Sequence, residues 1–271
     1  MAGVGFIGSG MMAEAIISGM VKGGFEPGEI WGADPEVGRR EHMQAAYGIQ
    51  VTERNEELAA QCEVLVMAVK PQYFQNAVRA LRPALKPEHR IISIMAGVTT
   101  QQLEHDLRCF EDGQVLVLPV VRVMPNSPAM VNAGITCLCV GSTARQEDVD
   151  FARRVFQTVG TVMDVEESLI DAATGVAGCG PAYVYMMIEA MADGGVMMGL
   201  PRQAAQRLAA EMVKGAAQMV LAGYGHPGEL KDKVCSPGGA TIAGVYALEK
   251  SGLRGAMMEA VIAGAEKCKR I

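Results

Sequence analysis

The sequence predicts a chain in two parts: an α/β domain with a doubly wound sheet, followed by a domain made of helices alone. Three observations support this prediction. At 271 residues the chain is long enough for two hydrophobic cores. Up to about residue 163, short apolar runs alternate with helical patterns, and after Asp164 the strand-like runs stop. We therefore expect one domain at residues 1–163 and a second at residues 164–271.

The strands of the first domain are predicted from continuous apolar runs. Such runs, unlike alternating ones, are typical of a sheet that is covered on both faces. Helical patterns lie between the early runs, at residues 12–22 and 54–61, as a doubly wound sheet requires. The predicted strands are VGFIG, EIWGAD, EVLVMAV, RIISIMAG, VLVLPVVRVMP and ITCLCVG.

The second domain is predicted to contain five helices, most of them with a proline near the start. In the helix at residues 202–222, apolar side chains cover so wide an arc that it needs partners on more than one side. We expect this domain to pack partly against another copy of the chain. The predicted helices are residues 182–198, 202–222, 228–234, 241–251 and 254–269.

Composition argues against several classes of partner and location for this chain. A net charge of -6, with no basic stripe among aromatic residues, argues against nucleic acid. The longest uncharged stretch near the middle, residues 172–188, is too short and too interrupted to span a bilayer. No charged leader precedes the first strand-like run, so no targeting segment is expected. The seven cysteines form no CxxC pair, which predicts reduced thiols, no metal site and a cytoplasmic location.

A glycine loop follows the first predicted strand and opens a helix. Gly8-Ser9-Gly10-Met11-Met12-Ala13 fits the GxGxxG/A pattern of dinucleotide-binding sites. Gly8 would permit the tight turn, Gly10 would let a pyrophosphate approach the backbone, and Ala13 would let helix and strand pack closely. The alternative is a tight strand–helix turn without a ligand.

Asp34 closes the second predicted strand. A carboxylate there can accept hydrogen bonds from a ribose 2′-hydroxyl and would repel a 2′-phosphate, so the sequence leans towards NADH over NADPH. Arg39 and Arg40 could instead attract that phosphate, or they could be solvated surface residues. Lys70 and the stretch at residues 124–128 also follow predicted strands, and we expect them to lie at the same ligand-binding crevice. The alternative for Lys70 is a solvated surface charge without a role in binding.

A second glycine turn precedes the helix near Thr241. In SPGGAT, residues 236–241, a proline and two glycines leave backbone N–H groups bare at a helix start, which suits an anion. The alternative is an ordinary helix cap in which Ser236 or Thr241 satisfies its own turn.

Taken together, these motifs closely resemble the pyrroline-5-carboxylate reductase family over essentially the whole chain. The chain departs from the family at Ala177 and Cys179, where serine is more frequent, and at Met11, where asparagine is frequent. The motifs that carry the resemblance are GFIGSGMMAEAI, AVKP, SIMAGVT, RVMPNSPAMVNAG, GVAGCGPAYVYMMIEAMADGGVMMGLPR and HPGELKDKVCSPGGATIAGVYALE.

The resemblance implies a Rossmann domain that binds NADPH or NADH and a helical dimerisation domain. It implies reduction of 1-pyrroline-5-carboxylate to L-proline by a homodimer or a larger homo-oligomer. The implied substrate contacts are Glu167, Lys233, Ser236, Gly239, Ala240 and Thr241. The implied cofactor contacts are Ile7, Gly8, Ser9, Gly10, Met11, Met12, Asp34, Asn55, Ala68, Val69, Lys70, Pro71, Met95 and Ala96.

The chemistry of imine reduction agrees with the scarcity of histidine, of which the chain has four. A protonated imine is neutralised as hydride arrives, so no oxyanion builds up that needs a strong acid. We expect the Thr241 hydroxyl to meet the ring nitrogen and Glu167 to favour its charged form.

Two alternatives are considered. A β-hydroxyacid dehydrogenase would use a lysine on the helix after a glycine turn, and the apolar Val184 near the comparable place argues against ketone or alcohol chemistry. A sensor would bind NAD(H) through Gly8–Ala13 without turnover, and it gives no reason for the second glycine turn.

Overall fold

The computed structural model describes residues 3–111 and 113–269. Within these residues the chain divides into two compact units: unit 1 extends to Gly178 and includes the residues from Gly264 onward, and unit 2 is Cys179–Ala263. The boundary predicted after residue 163 therefore lies inside unit 1. The chain beyond that point is still bonded to the sheet, since the Val165 amide donates to the Leu138 carbonyl at 2.9 Å.

Unit 1 is built on an eight-stranded sheet. The strands of the described residues are β1 (Val4–Ile7), β2 (Ile30–Ala33), β3 (Gln50–Thr52), β4 (Val64–Met67), β5 (Arg90–Ser93), β6 (Cys109–Glu111), β7 (Gln114–Leu116), β8 (Val120–Met124), β9 (Gly134–Val140) and β10 (Gly160–Asp164). The sheet has the order β10-β9-β8-β5-β4-β1-β2-β3, and β6 and β7 form a separate hairpin. From β3 to β8 neighbouring strands are parallel, as predicted, but β9 runs antiparallel to β8.

The long apolar run VLVLPVVRVMP does not form one strand. Its first residues belong to the hairpin strand β7, and only Val120–Met124 joins the sheet as β8. Pro119 separates the two parts, and proline has no amide to donate to a ladder. Strands β3, β6 and β10 were not predicted, and β7 was not predicted as a separate strand.

Helices cover both faces of the sheet, which confirms the doubly wound prediction. One core joins α1 (Met11–Lys22), α2 (Val37–Tyr47) and α6 (Gln146–Gln157) to strand residues such as Phe6. The opposite core joins α3 (Asn55–Gln61), α4 (Phe74–Leu81) and α5 (Thr100–Asp106) to strand residues such as Ile7. Because successive strand residues face opposite sides, each continuous apolar strand supplies both cores. Unit 1 also contains α7 (Ile170–Ala173).

Gly160 allows the outermost strand to pair closely with its neighbour. Its φ is +148°, in the region that favours glycine, and a Cβ there would overlap the backbone of Gly134. Gly160 pairs with Gly134 at the start of the β9–β10 ladder. The approach of the two strands therefore requires glycine at position 160.

The helices of the second part of the chain begin and end close to their predicted limits. They are α8 (Gly180–Met197), α9 (Arg202–Leu221), α10 (Pro227–Lys233), α11 (Ala240–Lys250) and α12 (Leu253–Cys268). Ala192, Ala205 and Ala209 are buried, but Met197 and Leu221 are 87% and 86% exposed in the single chain. Such a surface is typical of helices that associate with a partner.

Candidate functional site

The carboxyl ends of four parallel strands meet at one edge of the unit 1 sheet. In the ladder register Ile7 lies opposite Ala33 and Met67, and Met67 lies opposite Ser93. The next residues continue the pairing, since the Gly8 amide donates to the Ala33 carbonyl at 2.9 Å. The turns that follow β1, β2, β4 and β5 therefore lie side by side, where open α/β sheets bind ligands.

The first glycine loop leads into α1 without a side-chain cap. Gly8 has φ +94°, and a Cβ there would lie 3.0 Å from the Ala68 carbonyl oxygen. Gly10 is the N-cap residue and makes no side-chain cap bond, while a Cβ on it would meet nothing within 4 Å. The first amides of a helix have no acceptor within the helix. The open space and bare amides at Gly10 and Met11 fit a dinucleotide pyrophosphate.

Ser9 has a different role from its neighbours in the loop. Its side chain is buried, and its hydroxyl has no hydrogen-bond partner among the described residues. Its amide donates to Oδ2 of Asp34 at 3.0 Å, and the Glu36 amide donates to Oδ1 at 3.0 Å. The Asp34 carboxylate thus connects the glycine loop to the turn after β2.

Arg39 and Arg40 fold back on the site and are not freely solvated. Nε of Arg39 donates to the Ser9 carbonyl, and its Nη2 pairs with Glu14 at 2.5 Å. Nη1 of Arg40 donates to the Asp34 carbonyl at 2.7 Å. Arg39 therefore has its partners in the glycine loop and on α1, and Arg40 has its partner at the end of β2.

Glu14, on α1, collects three hydrogen bonds from α2. Besides Arg39, Nε2 of His42 donates to it at 2.7 Å and the Tyr47 hydroxyl donates at 2.9 Å. Burial alone would raise the pKa of Glu14, but the bonds from His42, Arg39 and Tyr47 outweigh burial and lower the pKa to about 2. Glu14 is therefore ionised at neutral pH.

The remaining implied cofactor residues differ in whether their side chains or only their backbone atoms could contact a cofactor. The side chains of Ile7 and Met95 are 0% and 2% exposed and belong to a core, so these residues can offer only backbone atoms. Lys70 is exposed at the end of the β4 turn. Partly exposed residues complete the implied set: Met12, Asn55, Ala68, Val69, Pro71 and Ala96.

In unit 2, the second glycine turn also lacks a side-chain cap. Gly239 is the N-cap residue of α11 and has no side chain that could cap the helix, and its amide donates to the backbone carbonyl of Ser236 at 3.0 Å. Gly238 has φ +66°, and a Cβ on Gly239 would overlap the Ser236 hydroxyl. The left-handed φ of Gly238 favours glycine at that position, and the turn leaves the first amides of α11 without helical acceptors.

The structure gives Lys233 and Glu167 other partners. Nζ of Lys233 donates to the Tyr224 carbonyl at 3.4 Å. Glu167 lies in unit 1, where the Thr100 amide and hydroxyl donate to its carboxylate at 2.7 and 2.5 Å. Nη1 of Arg122 donates to the same carboxylate at 3.0 Å.

Arg122 is a buried residue that the sequence analysis did not single out. Its side chain is 2% exposed and pairs with Glu167. The signal was available, because an arginine inside an apolar strand run requires a buried counter-charge. Burial raises the pKa of Glu167, but the bonds from Thr100 and Arg122 outweigh it and hold the pKa below its ordinary value.

Asn126 follows β8 and joins two segments of unit 1. Its Nδ2 donates to the Ala177 carbonyl at 2.9 Å, and its Oδ1 accepts from the Ile135 amide at 3.0 Å. Ala177 lies in a π-helical turn, Thr174–Gly178. Such turns are rare and frequently occur at functional sites.

Five of the seven cysteines are buried. Burial raises the pKa of Cys62 to about 12 and that of Cys139 to about 11, so both stay protonated at neutral pH. Across residues 3–111 and 113–269, no cluster of three or more His, Cys, Asp or Glu side chains could hold a metal ion. Within the same residues, no helix has the length and apolar content needed to cross a membrane.

Comparison with known families finds two matches along the chain. Residues 167–271 match the family described as pyrroline-5-carboxylate reductase dimerisation, and residues 3–97 match the family described as NADP oxidoreductase coenzyme F420-dependent. The pyrroline-5-carboxylate reductase of Synechocystis is 43% identical over 270 residues, covering 99% of this chain and 97% of that protein. The Escherichia coli pyrroline-5-carboxylate reductase is 38% identical over 273 residues, with the same coverage.

Solved structures give the same family. The NADP-bound pyrroline carboxylate reductase of Plasmodium falciparum has a TM-score of 0.88 and 31% identity, covering 99% of this chain and 97% of that chain. The pyrroline-5-carboxylate reductase of Coxiella burnetii has a TM-score of 0.89 and 30% identity, covering 99% and 98%.

Proposed function

The chain belongs to the pyrroline-5-carboxylate reductase family, and on this premise we propose how its two glycine turns serve the reaction. The reaction is the NAD(P)H-dependent reduction of the cyclic imine 1-pyrroline-5-carboxylate to L-proline. The turn before α1 binds the pyrophosphate of the cofactor. The turn before α11 binds the carboxylate of the substrate.

One observation carries this proposal: α1 and α11 both begin on a glycine N-cap, which has no side chain that could bond to the first amides of the helix. Each turn therefore leaves bare amides at the positive end of a helix. The helix dipole alone favours an anion there by about 0.3–1 kcal/mol. Pyrophosphate and carboxylate are the two anionic groups that this reaction brings to the enzyme.

Backbone atoms provide most of the proposed cofactor contacts. Gly10, Met11 and Met12 offer amides to the pyrophosphate, and Asp34 faces the adenosine ribose. When bound, NAD(P)H supplies the hydride. The acidic Asp34 supports a preference for NADH, whereas the relative from Plasmodium falciparum has NADP bound.

On the substrate side, the proposal assigns the carboxylate to the amides of Ala240 and Thr241, beside Ser236 and Gly239. The Thr241 hydroxyl oxygen accepts a hydrogen bond from the protonated ring nitrogen and so orients the C=N bond. Orientation of this kind can contribute about 7–11 kcal/mol to lowering the barrier. Direct contacts from Glu167 and Lys233 remain predictions from the family resemblance, because each already has another partner.

The carboxylate assignment can be tested by removing one amide. Ala240→Pro deletes the N–H of the first residue of α11, a position where proline suits the helix. Loss of a hydrogen bond to a charged group should raise the KM for the imine about tenfold or more, with little change in kcat. Ala240→Gly keeps the amide and is the matched control. An unchanged KM in Ala240→Pro would show that this amide does not hold the carboxylate.

The cofactor assignment can be tested at Gly10. Because a Cβ there meets open space, Gly10→Ala should fold as the unmodified protein does. The added methyl should still obstruct a pyrophosphate and weaken binding of NADH and NADPH alike. Gly38→Ala, which also adds a methyl in open space but outside the loop, is the control. Equal affinities in the two variants would contradict the assignment.

Turnover separates an enzyme from a nucleotide-binding sensor. Loss of absorbance at the nicotinamide band on addition of pyrroline-5-carboxylate is the expected result, whereas cofactor binding without turnover would indicate a sensor. Thr241→Ala should lower kcat/KM for the imine, and an unchanged value would remove Thr241 from the mechanism.

The dimerisation-family match at residues 167–271 supports a homo-oligomer. We propose that the oligomer is a homodimer or a larger assembly that covers apolar residues such as Met197 and Leu221, which sedimentation can measure. Buried cysteines such as Cys62 and Cys139, in a chain without a CxxC pair, support a reducing, cytoplasmic compartment.

A further inference from the structure

We propose that Glu14 helps to set the nucleotide preference by neutralising Arg39, a guanidinium that would otherwise attract the 2′-phosphate of NADPH. The inference rests on the proposed dinucleotide site in the Gly8–Ala13 loop. Glu14 itself is then a specificity-determining residue that acts through Arg39.

Arg39 is near the position where the two nucleotides differ. Its Nε donates to the carbonyl of Ser9, and the amide of the same residue donates to Asp34. Asp34 is the carboxylate expected to face the ribose 2′-position. Ser9 therefore connects Arg39 to that carboxylate, with one hydrogen bond to each of them.

Glu14 restrains the same guanidinium from its other side. Nη2 of Arg39 pairs with the Glu14 carboxylate at 2.5 Å, and the two side chains are only 21% and 22% exposed. His42 and Tyr47 donate two further hydrogen bonds to Glu14, which keep it ionised and fixed in place. Charge-assisted bonds in such a half-buried setting are stronger than those on an open surface.

The charged side chains around Arg39 carry no net positive charge. Asp34 and Glu14 contribute two negative charges, and Arg39 and Arg40 contribute two positive charges. Arg40 is itself bonded to the Asp34 carbonyl and lies 3.6 Å from the exposed Glu53. A 2′-phosphate would thus approach a cluster without net positive charge, and it would meet Asp34 first. Removing the charge of Glu14 makes the cluster more positive by one charge and leaves Arg39 without its acidic partner.

Binding measurements without turnover test this directly. Calorimetric titration with NAD⁺ and with NADP⁺ gives a dissociation constant for each nucleotide. In Glu14→Gln, the affinity for NADP⁺ relative to NAD⁺ should increase about two- to fivefold, the effect expected from unpairing a partly exposed arginine. Glu41→Gln removes an exposed charge from the same helix as Arg39 and should leave the ratio unchanged.

A double variant tests whether Glu14 acts through Arg39. In Glu14→Gln combined with Arg39→Gln, the gain for NADP⁺ should disappear, because the guanidinium that binds the phosphate is gone. A gain that persists would overturn the inference. So would equal weakening of both nucleotides in Glu14→Gln, which is the result of a purely structural role.

The same titrations separate this inference from the proposed function. If the unmodified protein binds neither nucleotide, the cofactor site itself is wrong and the inference fails with it. If it binds both, and Glu14→Gln leaves their ratio unchanged, only the role of Glu14 is wrong.

Discussion

Glu167→Gln should destabilise the protein by leaving a buried arginine without its counter-charge. Arg122 is 2% exposed, and its Nη1 donates to the Glu167 carboxylate at 3.0 Å. Glutamine is close in shape and can still accept from Thr100, so the change isolates the charge. It leaves a guanidinium in the sheet with no acidic partner.

The size of this loss of stability depends on how deeply Arg122 and Glu167 are each buried. Breaking a fully buried ion pair by removing one partner costs about 3–5 kcal/mol. Because Glu167 is 30% exposed, water can partly replace it, and we expect about 2–4 kcal/mol. Such a loss is a large fraction of the roughly 5–15 kcal/mol that stabilises a typical fold.

Urea unfolding at neutral pH and one fixed protein concentration measures this loss, since the stability of an oligomer depends on concentration. Glu166→Gln, one residue earlier and exposed, is the matched control and should change stability by less than about 0.5 kcal/mol. Adding Arg122→Met to Glu167→Gln should recover part of the loss, because the unpaired charge is then absent. A Glu167→Gln variant as stable as the control would refute the reasoning.

Three further predictions concern stability. The pKa of Glu14 in the folded protein is about 2, against an ordinary value of 4.5. Ionised Glu14 therefore adds at most about 3 kcal/mol to the free energy of unfolding. This stabilisation is complete above pH 4.5 and is lost as the pH falls to 2. Glu14→Gln should therefore be less stable at neutral pH, with the difference in urea midpoint vanishing over that range; a constant difference would contradict it. His89 is 1% exposed and bonds the Lys86 amide and the Ala59 carbonyl, so His89→Ala should cost about 2–4 kcal/mol by denaturant unfolding; a smaller loss would show that water replaces those bonds. Gly160→Ala should lower the Tm sharply, whereas the helical Gly38→Ala should leave it unchanged or raise it slightly; similar Tm values would mean that the outer strand can shift.

Local patterns predicted the parts of the fold that depend on neighbours in sequence. The strand–loop–helix unit at Gly8–Ala13 and the limits of α8–α12 follow from periodicity, glycine and proline. The direction of β9 was not predictable in this way, because an apolar strand carries no mark of whether its partner is parallel. The hairpin strand β7 was concealed within an apolar run that continues into β8.

In the candidate site, too, the features that depend on neighbours in sequence were predicted and the contacts between distant segments were not. The two bare turns are visible in sequence because glycine itself defines them. The bonds between Ser9 and Asp34, Glu14 and Arg39, and Arg122 and Glu167 are not, since 25 to 45 residues separate the partners. Such pairs form only after the sheet order brings distant segments together.

The bond from the Ser9 amide to Asp34 has a consequence for cofactor engineering. Exchanging an acidic residue at this position for a neutral one is the obvious way to admit a 2′-phosphate. Here the same carboxylate also anchors the backbone of the glycine loop. An exchange at Asp34 would relax the loop as it changes the charge, so a redesign that leaves Asp34 in place and alters its surroundings should retain more catalytic efficiency.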